Sequence, residues 1–281
     1  MESFVFAAVL FGAACHASWN AVIKIGLDPF LTTILVAVAA GLVALPFVPF
    51  VGLPAAAAWP WVIASILIHL AYFIGLIGAY RSGDMGQVYP LARGSAPLMT
   101  AVLSAMLLGE WQSPAGWLGV VVLVSGVFLL SARGGRELVH LDRRAVGFAL
   151  FTAVTICAYS LVDGIGARVS GNAHAYSVAL FVGNAAIMAA YGVALRGGGI
   201  VADMMPYWQR GLAGGALQLA SYWIAIWAMT VAPIAVVAAL RETSVLFGAL
   251  IAVVVLKEPL RPVRVVAAVA IVVGLALIRL S

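Results

Sequence analysis

Charge is what this sequence has least of. Of its 281 residues only 9% are Asp, Glu, Lys or Arg, against 65% apolar, and the mean hydropathy is +1.14. Soluble domains carry about a quarter charged residues, so a water-soluble globular enzyme is excluded. Catalytic signatures are missing too. There is no HExxH, GxSxG, Walker A lysine loop or CxxC pair. No enzymatic activity, cofactor or metal is therefore expected, and any transport must run downhill or on an ion gradient. Cysteine is scarce: Cys15 and Cys157 both fall in apolar runs and read as small buried hydrophobes, not as a disulfide or metal pair. The opening lacks a basic n-region, so the apolar run from Phe4 is expected to be a span, not a cleaved signal. The formal charge of +5 lies in short loops and reads as a topology signal, with no nucleic-acid partner.

What remains is hydrophobic length. A helix needs about 20 apolar residues to cross a bilayer. Such runs fall near 3–25, 29–50, 59–80, 86–108, 114–131, 145–167, 174–195, 211–230, 233–256 and 262–280. The breaks between them carry turn residues, among them Asp28-Pro29, Ser113-Pro114, Ala232-Pro233 and Arg261-Pro262. The fold expected is an all-α membrane protein of ten transmembrane helices. Its most polar segment, 132–144, separates a first five-helix repeat (1–131) from a second (145–281).

The halves are related in sequence. The offset 241 − 93 = 148 carries Arg93 onto Arg241, Ser95 onto Thr243, Leu98 onto Leu246, Glu110 onto Glu258, Pro114 onto Pro262 and Gly126 onto Gly274 without a gap. An offset of 140 pairs Trp19 with Tyr159 and Asn20 with Ser160. Because each half has an odd number of spans, the second enters the membrane inverted, and a ligand site is expected near the midplane between the halves. Arginines crowd the loops after spans five, seven and nine, so the positive-inside rule puts both termini outside the cytoplasm.

Polar residues inside the spans are then the candidates for function. An arginine at a helix centre costs roughly 2.5–3.5 kcal/mol on insertion scales, so Arg93 and Arg241 are expected to line a cavity. Glu242 is the counter-charge at hand, for an arginine across the pseudo-twofold or for a substrate ammonium. His16, Asn20 and Lys24 share one face of span one, and His16 suits a proton or a substrate contact. Pro90 and Pro97 around Arg93 predict a bent fourth span, which also carries Tyr89. Trp19, Tyr159 and Tyr222 lie deep enough to wall a cavity, and Asp163 is a further proton-path candidate, whereas His69 reads as structural. Since Gly94 provides no acidic mate to Glu242, Arg241 is expected to be the neutralised arginine and Arg93 the one that meets a ligand.

With these residues the chain resembles the drug/metabolite transporter superfamily, of the EamA-like type. Leu107-Leu108-Gly109-Glu110 and Val255-Leu256-Lys257-Glu258 end the fourth span of each half, and Pro97 stands thirteen residues before Glu110. Val245 departs from that pattern, and arginines at 93 and 241 are unusual for the family. The string His16-Ala17-Ser18-Trp19-Asn20 with Lys24 resembles a phosphonate-associated subgroup. The resemblance implies a basket in which spans 1, 3, 4, 6, 8 and 9 line a central cavity and spans 5 and 10 lie outside. It also implies cytoplasmic termini, opposite to the charge count.

The function expected is a secondary transporter of a small anionic or zwitterionic metabolite, multi-pass in a bacterial-type plasma (inner) membrane, as a monomer or homodimer. Its substrate-binding residues would be Arg93, Arg241, Glu242, His16, Asn20, Trp19, Tyr89, Tyr159 and Tyr222, and its proton-coupling candidates His16, Glu242 and Asp163. Two competing readings are an exporter of hydrophobic cations or drugs, and a lipid flippase or scramblase.

Overall fold

The computed structural model describes residues 1–23, 28–82, 85–131, 143–254 and 262–280. The described residues are helices joined by short turns, without a strand. The first half contains α1 (Ser3–Ile23), α2 (Pro29–Ala44), α3 (Val48–Val51), α4 (Trp59–Ser82), α5 (Met85–Leu108) and α6 (Pro114–Ser131). The second contains α7 (Arg143–Ser170), α8 (Ala173–Arg196), α9 (Ile200–Met204), α10 (Trp208–Val231), α11 (Ile234–Arg241), α12 (Ser244–Val254) and α13 (Pro262–Leu280). α2 and α3 form one span through a tight turn, and α11 with α12 form another. Eight stretches are long and apolar enough to cross a bilayer, and the shorter apolar helices Ala92–Leu108 and Pro114–Leu129 complete the ten. The boundary segment 132–142 lies outside the described residues, while Arg143 and Arg144 open α7.

Helix ends follow local chemistry. Asp28 accepts a hydrogen bond from the Phe30 amide, with Pro29 in the first turn of α2. Asn172 Oδ1 accepts from the amides of His174 and Ala175 at the start of α8, and its Nδ2 donates to the Val51 carbonyl. Gly109 has a φ of 69°, and the Glu110 amide reaches back to the Ser104 carbonyl, which ends α5 in a left-handed cap. That turn is what aims the Glu110 side chain.

Alternating spans put both termini at one end of the bundle, where Arg279 donates to Met1 O and Ser3 Oγ. At the opposite end Asp28 pairs with Arg196. Packing between the halves obeys the inverted repeat. α4 packs on α7 as its mate α10 packs on α1, while α6 packs on α13 and α2 on α8, each span against its own mate. Gly126 and Gly274 allow the α6–α13 approach: a Cβ on Gly274 would lie 2.6 Å from the Leu123 nitrogen.

Of the two fourth-type spans, one is continuous and the other is interrupted. α5 is one helix from Met85 to Leu108 despite Pro90 and Pro97, whereas the proline-free equivalent breaks at Glu242-Thr243. There the Thr243 amide bonds Leu240 O and Val245 bonds Glu242 O, so three-residue turns replace the four-residue ladder. The Thr243 hydroxyl also donates to Leu240 O at 2.7 Å. Side-chain competition for a backbone carbonyl, not a missing N–H, accompanies the kink.

Candidate functional site

A cavity near mid-bundle is lined from both halves. His16 and Trp19 come from α1, Ala37 from α2, His69, Tyr72 and Phe73 from α4, and Arg93 from α5. Tyr159 comes from α7, Phe181 and Asn184 from α8, Gln218 and Tyr222 from α10, and Arg241 from α11. Both members of the pairs Arg93/Arg241 and Trp19/Tyr159 meet here, as an inverted repeat places them. To the six spans of the implied basket the structure adds spans two and seven, and α6 and α13 contribute no lining residue among those described.

The two arginines are held differently. Arg93 is 4% exposed, and its Nε lies 3.0 Å from Glu242 Oε2. The N–H does not point squarely at the oxygen, so the contact is an ion pair and not a linear hydrogen bond. Arg93 also donates from Nη2 to Ser244 Oγ at 3.2 Å, clasping both sides of the break between α11 and α12. Arg241, 9% exposed, lies over the face of Tyr222 with Cζ 4.6 Å from the ring centroid, and forms no ion pair among the described residues. This reverses the expected assignment of the counter-charge. Glu242 pairs with Arg93 of the other half, so Arg93 carries the counter-charge and Arg241 lies on the cavity wall without an ion pair among the described residues.

Aromatic rings frame Arg241. His69 stacks on Tyr159 at 4.3 Å between centroids, and Tyr222 stands edge-on to both at 5.6 Å. Behind Tyr222 lies Asp163, which is fully buried. Its Oδ2 accepts from the Tyr222 hydroxyl and its Oδ1 from the Tyr176 hydroxyl at 2.9 Å. Arg241, Tyr222 and Asp163 thus form a continuous cation–ring–hydroxyl–carboxylate row from the cavity wall inward. His69, read as structural from sequence, belongs to this wall, with Nδ1 near Ser65 O and Oγ.

The remaining candidates scatter. His16 lines the cavity and receives the Trp19 indole N–H at 3.3 Å. Asn20 does not line it, and its Nδ2 donates to the His16 carbonyl on its own helix. The side chains of Tyr89 and Lys24 fall outside the described residues. Two lining residues escaped the sequence reading: Asn184 and Gln218. Their signal was a lone carboxamide in an otherwise apolar span.

A ten-helix inverted repeat with a cavity lined from both halves is the architecture of a multi-pass membrane protein. Residues 3–132 match the model of the EamA-like transporter family. Members of that family are membrane transporters of the drug/metabolite superfamily. A solved structure titled only as the crystal structure of a protein is 20% identical, with a TM-score of 0.76 over 99% of this chain and 96% of that one. At that identity the likeness carries the fold, now for both halves. No curated protein matches the chain.

Proposed function

We propose that this protein is a secondary transporter that moves a small anionic or zwitterionic metabolite by alternating access through the central cavity, in a bacterial-type inner membrane. The observation that carries this reading is Arg241: a buried guanidinium on the cavity wall, with its nearest carboxylate neighbour in sequence committed to Arg93. A guanidinium in that setting suits a carboxylate, phosphate or phosphonate through charge-assisted hydrogen bonds. An organic-cation exporter would instead present an acid to its cargo, and no described lining residue is Asp or Glu. Coupling to protons would draw on His16, Glu242 or Asp163, each on or directly behind the wall.

A thermal-shift screen of the purified protein against amino acids, phosphonates, sugar phosphates and organic cations tests this, because a ligand of the folded state raises its apparent stability. Anions or zwitterions should stabilise the wild type and not Arg241→Ala. Stabilisation by organic cations alone, or hits indifferent to Arg241→Ala, would overturn the proposal.

A further inference from the structure

Asn184 Oδ1 and Gln218 Oε1 are buried polar atoms with no hydrogen-bond partner, and both side chains line the cavity that Arg241 faces. Asn184 is 7% exposed. A buried amide oxygen left unpaired is costly, about 1–3 kcal/mol, so two of them on one cavity wall ask for an explanation. Side-chain packing supplies none, since apolar residues of the same shape would fill the wall without that cost.

Their placement relative to Arg241 follows from helix geometry. Measured from the end that holds the termini, Arg241 closes α11, roughly 10 Å in at 1.5 Å per residue. On the same scale Tyr222 lies roughly 13 Å in, Asn184 on the antiparallel α8 roughly 16 Å, and Gln218 on α10 roughly 20 Å. The two carboxamides therefore sit at neighbouring levels, one to two turns beyond the guanidinium, on the side away from the termini. A ligand with its anionic end on Arg241 extends its other end to that level.

The chemistry at that level is neutral. The Arg93–Glu242 pair cancels, Arg241 is the remaining cation, and no carboxylate lines the wall among the described residues. A ligand ammonium would lose its hydration without gaining a counter-charge, which is far more costly than burying an N–H or O–H. Of the lining aromatic faces, that of Tyr222 carries Arg241, and those of Tyr159 and His69 cover one another.

We infer that Asn184 and Gln218 are the specificity-determining half of the substrate site. They read a neutral hydrogen-bonding group, a carboxamide or hydroxyl, on a ligand whose anionic end is held by Arg241. The inference rests on the transporter reading above and narrows it from anion or zwitterion to an anion bearing a neutral donor.

Three matched probes test it by calorimetric titration of the purified full-length protein: 4-carbamoylbenzoate, benzoate and 4-(aminomethyl)benzoate. The carbamoyl probe should bind about tenfold tighter than either of the others, the fold-change of one satisfied buried hydrogen bond. Asn184→Leu and Gln218→Leu should each bring its ratio to benzoate toward one. Asn184→Asp, nearly the same size, supplies the missing carboxylate and should shift preference to the aminomethyl probe. Unchanged ratios in all three variants, tightest wild-type binding of the aminomethyl probe, or no binding of any probe would overturn the inference. Arg241→Ala separates the two claims. If it weakens all three probes while the amide variants change nothing, the anion anchor stands and the specificity claim falls; if benzoates bind indifferently to Arg241→Ala, the transporter reading itself loses its support.

Discussion

Arg93 Nε and Glu242 Oε2 lie 3.0 Å apart and join the two halves of the protein at an interrupted spanning helix. Each charge is at most 4% exposed, so neither is stabilised by water and each depends on the other. Removing one partner of such a pair strands the other, at about 3–5 kcal/mol, whereas replacing both with apolar groups is often neutral. Glu242→Gln should therefore lower the thermal unfolding midpoint strongly, and Arg93→Met/Glu242→Met should recover most of the loss. A double variant as unstable as the sum of the singles would show that the pair is not the coupled unit described.

Tyr222 has two separable jobs. Its ring carries Arg241, and its hydroxyl donates to Asp163. Tyr222→Phe keeps the ring and leaves Asp163 with one phenol fewer, a loss of about 1–3 kcal/mol in stability. Ligand affinity should change little. Tyr222→Leu removes the platform under the guanidinium, and a desolvated cation–π contact is worth about 1–2 kcal/mol, so affinity for an anionic ligand should fall about tenfold. Titrations of the two variants with the same ligand give the comparison. Equal affinity losses in both would place the effect in the hydroxyl and not in the ring.

The pseudo-symmetry was legible because it is written in identities at a constant offset: arginine on arginine, glycine on glycine, proline on proline. Ten spans were legible because a bilayer demands about 20 apolar residues per crossing, whatever the packing. The partner of Glu242 was not legible. Glu242 sits in the turn between α11 and α12, where the chain leaves the regular helix, and it pairs with Arg93 of the other half. Nor did span four announce that its prolines leave it continuous, since neighbouring helices decide whether freed backbone groups are satisfied. Asn184 and Gln218 were visible letters whose meaning lay in three dimensions: on separate spans, they line the same cavity only in the folded bundle.

Glycine at 274 is a steric requirement. A Cβ there would meet the Leu123 nitrogen at 2.6 Å, the Gly119 oxygen at 2.7 Å and the Leu123 Cβ at 2.7 Å, two of them backbone atoms with no freedom to turn aside. Gly274→Ala must push α13 from α6 and should cost about 1–3 kcal/mol. Gly248 in α12 has no described atom within 4 Å of such a Cβ. Gly248→Ala should be neutral or slightly stabilising through helix propensity. Unfolding midpoints of the two variants, measured side by side, check the contrast. Equal effects would mean that the α6–α13 contact does not depend on the glycine.

The end of the bundle that holds the termini is fastened by Glu110 and Arg168. Arg168 Nη1 lies 2.6 Å from Glu110 Oε1, and Arg168 also donates to the carbonyls of Met229 and Ala232. The other Glu110 oxygen accepts from Ser104 Oγ and from the Ile234 amide at the start of α11. One carboxylate thus ties the end of α5 to the turn between α10 and α11, on the side of Arg241 away from Asn184 and Gln218. In a Cys15→Ala/Cys157→Ala background, a cysteine replacing Ala232 should react slowly with a polar thiol reagent added from the face of the termini. Glu110→Ala removes the ion pair and the helix cap, worth about 1.5 kcal/mol together after solvent screening at Arg168, so the labelling rate should rise about tenfold. An unchanged rate would mean that the joint braces the fold without closing a path to the cavity.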